Sequence, residues 1–146
     1  MKGVIQRVNY ASVTVDDVVV GKIGVGLAVL VGFGKDDTEK NLKLMAEKIV
    51  NMRIFSNSED RFDYSLLDIK GEILLIPQFT LFADTSHGRR PEFFSALEPS
   101  KASPLFDKFV DIVKSLGVSK TECGIFGATM KVALENDGPV TISLDI

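Results

Sequence analysis

Two short runs of apolar residues constrain the fold of this chain more than any other feature. Residues 27–31 read Leu-Ala-Val-Leu-Val between glycines, and residues 73–76 read Ile-Leu-Leu-Ile before Pro77. Such runs are too short for ordinary helices, and their lack of polar alternation is typical of strands covered on both faces. The fold must therefore supply a packed layer on each side of a sheet, from this chain or from a second subunit.

Two segments carry the signals of amphipathic helices. The first is predicted to begin at the N-cap Thr38, and its apolar residues recur at helical spacing at Leu42, Met45, Ala46, Ile49 and Met52. For the second helix we predict Ser103 as the N-cap, Pro104 as the first helical residue and Gly117 just past the end. Its apolar stripe consists of Leu105, Phe109, Ile112, Val113 and Leu116.

The rest of the chain reads as strands joined by turns. Apart from the two apolar runs, the predicted strands cover residues 4–8, 12–15, 18–20, 124–126, 130–134 and 140–144. Because there is no internal repeat and no linker, we expect one α/β domain over residues 1–146. The predicted architecture is a layered β/β/α sandwich, with two helices packed on mixed sheets.

Composition and charge narrow the class of protein. The chain is 45% hydrophobic and 25% charged, which is typical of a globular domain. Its net charge of −3 argues against a non-specific nucleic-acid binder but allows a local basic patch. We expect no membrane span, and the lack of a leader together with the single Cys123 favours a cytoplasmic protein without disulfides.

The usual catalytic sets are absent from the sequence. The single histidine, His87, lies in a polar segment that is typical of an exposed loop, and Cys123 reads as a structural thiol. No cluster of His, Cys or carboxylate residues has metal-ligand spacing. The glycines match neither the dinucleotide-binding fingerprint nor the phosphate-binding loop. We therefore expect neither a metal nor a cofactor. The Phe93-Phe94 pair is interpreted as core or interface rather than a platform for stacked bases.

Two other segments are harder to explain as scaffold alone. In residues 76–82 a buried strand runs directly into Pro77, Gln78 and Thr80, and polar groups at the end of a buried strand commonly line a pocket. Residues 136–141 read Asn-Asp-Gly-Pro-Val-Thr, which predicts a turn between two strands. A Gly-Pro bond can also be cis, and the residues alone leave that open.

Several segments, in order along the chain, resemble the D-aminoacyl-tRNA deacylase family from end to end. They are Val4–Val8 with Ala11-Ser12-Val13, Gln78-Phe79-Thr80-Leu81, Gly88-Arg89-Arg90-Pro91, Gly124–Ala128 with Met130, and Asn136–Thr141. The resemblance implies a homodimer that hydrolyses the ester between a D-amino acid and the terminal adenosine of tRNA. It also implies activity on glycine mischarged onto tRNA-Ala, and neither membrane nor DNA as a partner.

The resemblance assigns roles to individual residues. It implies that Gly138 and Pro139, joined by a cis bond and held by Arg7, enter the other subunit's pocket and exclude L side chains there. Arg89, Arg90 and Lys101 are expected near the phosphates of the acceptor end. The residues expected to line the pocket are Pro77, Gln78, Phe79, Thr80, Leu81, Phe126 and Met130.

For the catalytic step the resemblance points to backbone groups. The N–H groups near Phe79 and Thr80 would bind the substrate carbonyl as it becomes an oxyanion. Thr80 is a candidate nucleophile, but a threonine hydroxyl without a nearby base is poorly activated. We therefore favour attack by water, assisted by the ribose 2′-hydroxyl and with Thr80 in a positioning role.

Two departures from the family pattern keep other functions open. Pro77 stands where the family has serine, and His87 stands where lysine is common. Pro77 points to a sister deacylase that clears L-alanine mischarged onto tRNA, whereas Phe79 points back to the D-specific family. A non-catalytic RNA- or protein-binding module of the same fold is the alternative outside the enzymes. A general ester or peptide hydrolase is disfavoured because no activated nucleophile is visible.

Overall fold

The computed structural model describes all residues from 1 to 146 and has eight strands and two α-helices. The strands are β1 (Lys2–Val15), β2 (Val18–Ile23), β3 (Gly26–Gly32), β4 (Phe55–Ser56), β5 (Phe62–Tyr64), β6 (Glu72–Pro77), β7 (Lys120–Cys123) and β8 (Lys131–Asp145). The helices are α1 (Glu39–Asn51) and α2 (Pro99–Ser115), and a 3-10 helix covers Phe79–Phe82. The prediction of a single α/β domain with two helices and a mixed sheet is confirmed. Neither α-helix has a stretch of the length and hydropathy needed to cross a membrane.

One six-stranded sheet carries the fold, in the order β2-β1-β3-β6-β7 with β8 paired to β1. Strand β1 pairs antiparallel with β2, β3 and β8, whereas β3-β6 and β6-β7 are parallel. The first half of β1 pairs with β3 and its second half with β2, so the sheet bends and brings β2 against β7. A Cβ built on Gly21 would lie 3.1 Å from the carbonyl oxygen of Cys123. The two β-layers are thus parts of one bent sheet, and β4-β5 is a separate small hairpin.

Apolar side chains are buried on both faces of this sheet. Leu27, Val29 and Val31 belong to a cluster of 22 buried residues that includes both helices. Ala28 belongs with Leu74 to a second cluster of 7 buried residues, under the bent part of the sheet. Alternate residues of β3 therefore pack against different layers, which confirms that the uninterrupted apolar runs are strands buried on both faces.

The helix boundaries agree with the sequence for α1 but not for the start of α2. Thr38 is the N-cap of α1, and its backbone N–H donates to Asn41 Oδ1 at 3.0 Å. The predicted start of α2 at Ser103 and Pro104 is wrong: Glu98 is the N-cap, Pro99 follows it, and Pro104 lies inside the helix. The earlier start adds the turn that buries Ala102 in the main core, and Pro104 then lies where it has no backbone N–H to donate within the helix. The predicted end is confirmed, with Gly117 at a φ of +86° just beyond the helix.

Strands near both termini are longer than predicted. Residues 2–15 form one strand, whereas the sequence suggested two. Its pairing with β2 has a register shift between Val13 and Thr14. Likewise, residues 131–145 form the single strand β8. The predicted strand at residues 124–126 is wrong, because β7 ends at Cys123 and a turn follows it. That turn lies next to β6, since Gly124 N–H donates to the Leu75 carbonyl at 2.8 Å.

Candidate active site

The parallel strands β3, β6 and β7 end at the same edge of the sheet, and a cavity of about 380 Å³ opens beside the segments that follow β6 and β7. Ligands of α/β proteins commonly bind outside the carboxyl ends of parallel strands. The cavity is bounded by the 3-10 helix, by the turn after β7 and by the start of α2. Its lining consists of Pro77, Gln78, Phe79, Phe93, Ala96, Leu97, Glu98, Pro99, Phe126 and Gly127.

Four residues predicted to line a pocket meet in this cavity: Pro77, Gln78, Phe79 and Phe126. Pro77 is the last residue of β6, and the backbone N–H of Gln78 donates to the Val31 carbonyl at 2.7 Å, which ties the segment to β3. The side chain of Phe79 is 57% exposed, so the aromatic ring is available to a ligand. Phe126 packs against the main core and forms part of the opposite side of the cavity.

The other predicted pocket residues lie beside the cavity rather than in its lining. Met130 packs near Pro77, because a Cβ on Gly124 would lie 2.6 Å from Met130 Sδ and 3.5 Å from Pro77 Cδ. Leu81 is half-buried within the 3-10 helix. Thr80 is exposed, and its hydroxyl oxygen accepts a hydrogen bond from Gln78 Nε2.

The sequence did not reveal the loop that completes the cavity. The ring of Phe93 meets the ring of Phe79 edge to face, with centroids 5.0 Å apart. The loop is held in place because Leu97 N–H donates to the Phe33 carbonyl at 2.9 Å and Lys35 N–H to the Ser95 carbonyl at 3.2 Å. Irregular loops lack the periodicity that identifies helices and strands, so only the two phenylalanines signalled this segment. Phe93 is half-buried at the cavity, whereas Phe94 is 74% exposed, which excludes a core position for Phe94 within the single chain.

Gln78 also lines a second, adjacent cavity of about 270 Å³ on the face of the sheet opposite the helices. Gln6, Ala28, Leu30, Ile76, Gln78, Val132 and Leu134 form its walls. Most of these side chains are apolar, and Val132 is 40% exposed. The Gln78 side chain therefore lies between an aromatic cavity and an open, largely apolar sheet surface.

Residues 137–140 form a bulge within β8, not the predicted turn between two strands. Asn136 pairs with Val8 and Thr141 pairs with Gln6, so residues 137–140 loop out opposite the single residue Arg7. The Gly138-Pro139 peptide bond is cis. Both residues are exposed, and neither lines the aromatic cavity of its own chain.

Arg7, on the neighbouring strand β1, holds the beginning of this bulge. Its side chain is buried, with the residue only 8% exposed, and Nη1 donates to the Ile54 carbonyl at 2.7 Å. Its Nε donates to the Asp137 carbonyl at 3.2 Å and lies 3.0 Å from Asp137 Oδ2. The guanidinium carbon is 5.6 Å from the centre of the Phe62 ring. A buried guanidinium needs such partners, and here they fix the position of Asp137.

The basic residues expected to contact tRNA differ in their surroundings. His87, Arg89 and Arg90 are exposed in a loop whose ends are joined by paired backbone hydrogen bonds between Asp84 and Glu92. This placement confirms the interpretation of His87 as a surface residue. By contrast, Lys101 is paired with Glu98 at 2.7 Å, and Glu98 raises the pKa of Lys101.

No activated side chain is found near the cavity. Cys123 is half-buried against the core, and burial raises the pKa of its thiol, as expected for a structural cysteine. No group of three His, Cys, Asp or Glu side chains is arranged to hold a metal ion. The polar side chains in the cavity lining are the amide of Gln78 and the carboxylate of Glu98, and the Thr80 hydroxyl lies beside the cavity. Phe79 and Thr80 begin the 3-10 helix, so their backbone N–H groups have no acceptor within it.

Comparisons with known proteins agree over the whole chain. A family model that describes D-Tyr-tRNA(Tyr) deacylases matches residues 4–145. A D-aminoacyl-tRNA deacylase of Clostridium beijerinckii is 52% identical over 145 residues, which are 99% of this chain and 97% of that protein. A protein of the same name from Roseiflexus sp. is 56% identical and is similarly covered, at 99% and 93%.

Two solved structures are also similar. The c-Myc DNA unwinding element binding protein is 38% identical and matches with a TM-score of 0.95, covering 100% of this chain and 99% of that one. The structure of a probable eukaryotic D-amino acid tRNA deacylase matches with a TM-score of 0.88 over 99% of this chain and 98% of that one. At 19% identity, this second match supports the fold alone.

Proposed function

The chain belongs to the D-Tyr-tRNA(Tyr) deacylase family, and we propose on that premise that it hydrolyses the ester between a D-amino acid and the terminal adenosine of tRNA. Glycine mischarged onto tRNA-Ala is the second proposed substrate. The observation that carries the proposal is the aromatic cavity, because residues of the family's own motif, Gln78 and Phe79, line it. Free D-amino acid and intact tRNA would be the products, and the cytoplasm the place of action.

The cavity suits the terminal adenosine. Its volume of about 380 Å³ falls within the usual range for small-molecule sites. The exposed ring of Phe79 and the half-buried ring of Phe93 offer aromatic surface against which a base can stack. The carboxylate of Glu98, also in the lining, can accept a hydrogen bond from a ribose hydroxyl or an exocyclic amine.

The proposed chemistry is attack by water, with the chain supplying position and backbone hydrogen bonds. Thr80 accepts a hydrogen bond from the Gln78 amide, and an amide N–H donor cannot take the hydroxyl proton. This contact supports a positioning role for Thr80 rather than that of a nucleophile. The backbone N–H groups of Phe79 and Thr80 would bind the developing oxyanion. An aminoacyl ester is more reactive than an amide, so orientation beside the ribose 2′-hydroxyl can supply much of the rate.

Discrimination against L-amino acids is proposed to come from a second copy of the chain. Gly138 and Pro139 are exposed and lie outside the cavity of their own chain, and Arg7 on the neighbouring strand holds Asp137, which precedes them. In the proposed homodimer they enter the partner's pocket, where their backbone would clash with an L side chain. Leu81 and Met130 would support the pocket from beside it. Arg89 and Arg90 would contact acceptor-end phosphates, and the net charge of −3 disfavours non-specific binding along a nucleic acid while allowing such a local contact.

Pro77 favours a second candidate, the sister deacylase that clears L-alanine from tRNA. Proline lacks both the hydroxyl and the N–H that serine would provide, so Pro77 can contribute only packing and its carbonyl. Phe79 supports the D-specific activity instead. A non-catalytic RNA- or protein-binding module is the candidate from another class, since a site without an activated side chain would also suit one.

The deciding experiment compares matched substrates. Purified protein, without added metal or nucleotide, is incubated with D-Tyr-tRNA, L-Tyr-tRNA, D-Ala-tRNA, L-Ala-tRNA and Gly-tRNA, and release of the amino acid is timed. We expect hydrolysis of both D-aminoacyl-tRNAs and of Gly-tRNA, with both L-aminoacyl-tRNAs spared. Preferential hydrolysis of L-Ala-tRNA would establish the sister activity, and no release from any substrate would contradict the proposed hydrolysis and favour the binding module.

A further inference from the structure

We propose that Asn136 is a positioning residue that fixes the far end of the Gly138-Pro139 bulge and thereby sets the selectivity between D- and L-aminoacyl-tRNA. The inference rests on the proposed function, since it concerns the same site. It assigns a role to a residue that neither contacts the aromatic cavity nor belongs to the bulge itself.

The contacts of Asn136 span the base of the bulge. Its Oδ1 accepts a hydrogen bond from Val140 N–H at 3.0 Å, and Val140 is the last looped-out residue. Its Nδ2 donates to Gln6 Oε1 at 2.6 Å and to Thr141 Oγ1 at 3.1 Å. One amide therefore ties the chain before the bulge, the chain after it and the neighbouring strand β1 together.

Asn136 and Arg7 together clamp the bulge at both ends. Arg7 binds the carbonyl and carboxylate of Asp137, the first looped-out residue, whereas Asn136 binds the backbone of Val140, the last. The two residues between these anchors, Gly138 and Pro139, are exposed. Selection by exclusion requires the excluding backbone to keep its position, because a bulge that moves away leaves room for an L side chain.

The chemistry of the side chain explains why this position is occupied by asparagine. The amide offers an acceptor for Val140 N–H and, two bonds away, donors for Gln6 and Thr141. Aspartate keeps the acceptor, and Gln6 can reverse its own amide to donate to the carboxylate. Alanine removes all three contacts. Asn9 offers a matched control because its Nδ2 donates to Glu135 Oε1 at 2.8 Å across the same strand pair without touching residues 137–140.

The test measures kcat/KM on D-Tyr-tRNA, L-Tyr-tRNA and Gly-tRNA for wild type, Asn136→Ala, Asn136→Asp and Asn9→Ala. We expect Asn136→Ala to lower the D/L ratio about tenfold, as the loss of three hydrogen bonds in a half-buried network implies, with activity on achiral Gly-tRNA within about threefold of wild type. Asn136→Asp should restore most of the ratio, and Asn9→Ala should leave it unchanged. Exchange of the Val140 amide hydrogen should be about tenfold faster in Asn136→Ala only.

An unchanged D/L ratio in Asn136→Ala, or an equal loss on all three substrates, overturns the inference. If that variant does not fold, Thr141→Val takes its place, because it is a near-isosteric change at an exposed residue that removes one Asn136 contact. It should lower the ratio about threefold, and an unchanged ratio would again refute the proposal. A wild-type protein inactive on D-Tyr-tRNA and Gly-tRNA would refute the proposed function instead, and amide exchange would still test the clamp.

Discussion

The α-carbon of Gly138 faces the guanidinium of Arg7 so closely that a β-carbon at residue 138 would lie 2.9 Å from Arg7 Nη2. The same β-carbon would lie 2.9 Å from Val140 Cγ2. Residue 138 also has a φ of +119°, which L side chains rarely adopt. Both the space and the backbone conformation therefore require glycine at the centre of the bulge.

Gly138→Ala is expected to displace the bulge and to weaken discrimination between D- and L-aminoacyl-tRNA. The added methyl must push away either Arg7 or Val140, and we expect the D/L ratio of kcat/KM to fall at least about tenfold. Gly117→Ala is the control, since Gly117 also has a positive φ, +86°, but its Cβ would meet no atom within 4 Å. That control should lose about 1 kcal/mol of stability and keep its selectivity. Equal selectivity in the two variants would contradict the prediction.

Arg7→Ala is expected to cost more stability than the loss of an exposed arginine. It leaves the buried Ile54 carbonyl without its donor and the half-exposed Asp137 carboxylate without its counter-ion, and the unpaired buried carbonyl costs about 1–3 kcal/mol. Arg53→Ala removes an ion pair between Arg53 and Asp63 in which the arginine side chain is 66% exposed, and should cost below about 1 kcal/mol. Urea unfolding of both variants measures the difference. Equal costs would show that Arg7 does not anchor the bulge.

The sequence identified the elements whose signal is local and missed those that depend on distant contacts. The apolar run at residues 27–31 was recognisable because burial on both faces leaves no polar residue in a strand. The bulge at residues 137–140 could not be recognised in the same way, because Asn, Asp, Gly and Pro signal a turn. Only the pairing of β8 with β1 on both sides of these residues shows that the strand continues. For α2, both Pro99 and Pro104 suit the start of a helix. The contact of Ala102 with the core favours the earlier proline.

The candidate site was predictable only in part, for the same reason. Gln78 and Phe79 follow a strong strand signal, so a pocket beside them was a reasonable expectation. Phe93 and Leu97 lie in an irregular loop, and their place at the cavity is set by backbone hydrogen bonds to the segment after β3. Thr80 was placed in the pocket by family resemblance. Its side chain is exposed and lies outside the cavity lining.

Thr80→Ala is expected to retain measurable catalysis. Because the hydroxyl accepts a hydrogen bond from Gln78 and has no base beside it, its loss removes a positioning contact rather than a nucleophile. We expect kcat on D-Tyr-tRNA to fall about tenfold or less. Thr80→Ser, which keeps the hydroxyl, is the control and should approach the wild-type rate. Loss of nearly all activity in Thr80→Ala, with the fold and the affinity for tRNA retained, would instead make Thr80 the nucleophile.

Arg89→Ala and Arg90→Ala are expected to weaken tRNA binding and to make it less dependent on salt. The logarithm of the binding constant falls linearly with the logarithm of the salt concentration, and each lost phosphate contact should make this negative slope shallower by about 0.7 to 0.9. Lys48→Ala, which removes one positive charge from the exposed face of α1, is the matched control and should leave the slope unchanged. The measurement is a salt titration of tRNA affinity for each variant. A slope that is the same in all four proteins would show that the loop is an ordinary solvated segment.

Cys123 is expected to react slowly with alkylating reagents and to be dispensable for activity. Burial disfavours the charged thiolate and so raises the pKa of the thiol, which leaves it protonated at neutral pH. The midpoint of iodoacetamide reaction against pH should therefore lie above that of a free cysteine, because the reactive thiolate forms only as pH rises through the raised pKa. Cys123→Ser should hydrolyse D-Tyr-tRNA at the wild-type rate. A midpoint below that of free cysteine, together with an inactive serine variant, would make Cys123 a nucleophile and would contradict hydrolysis by positioned water.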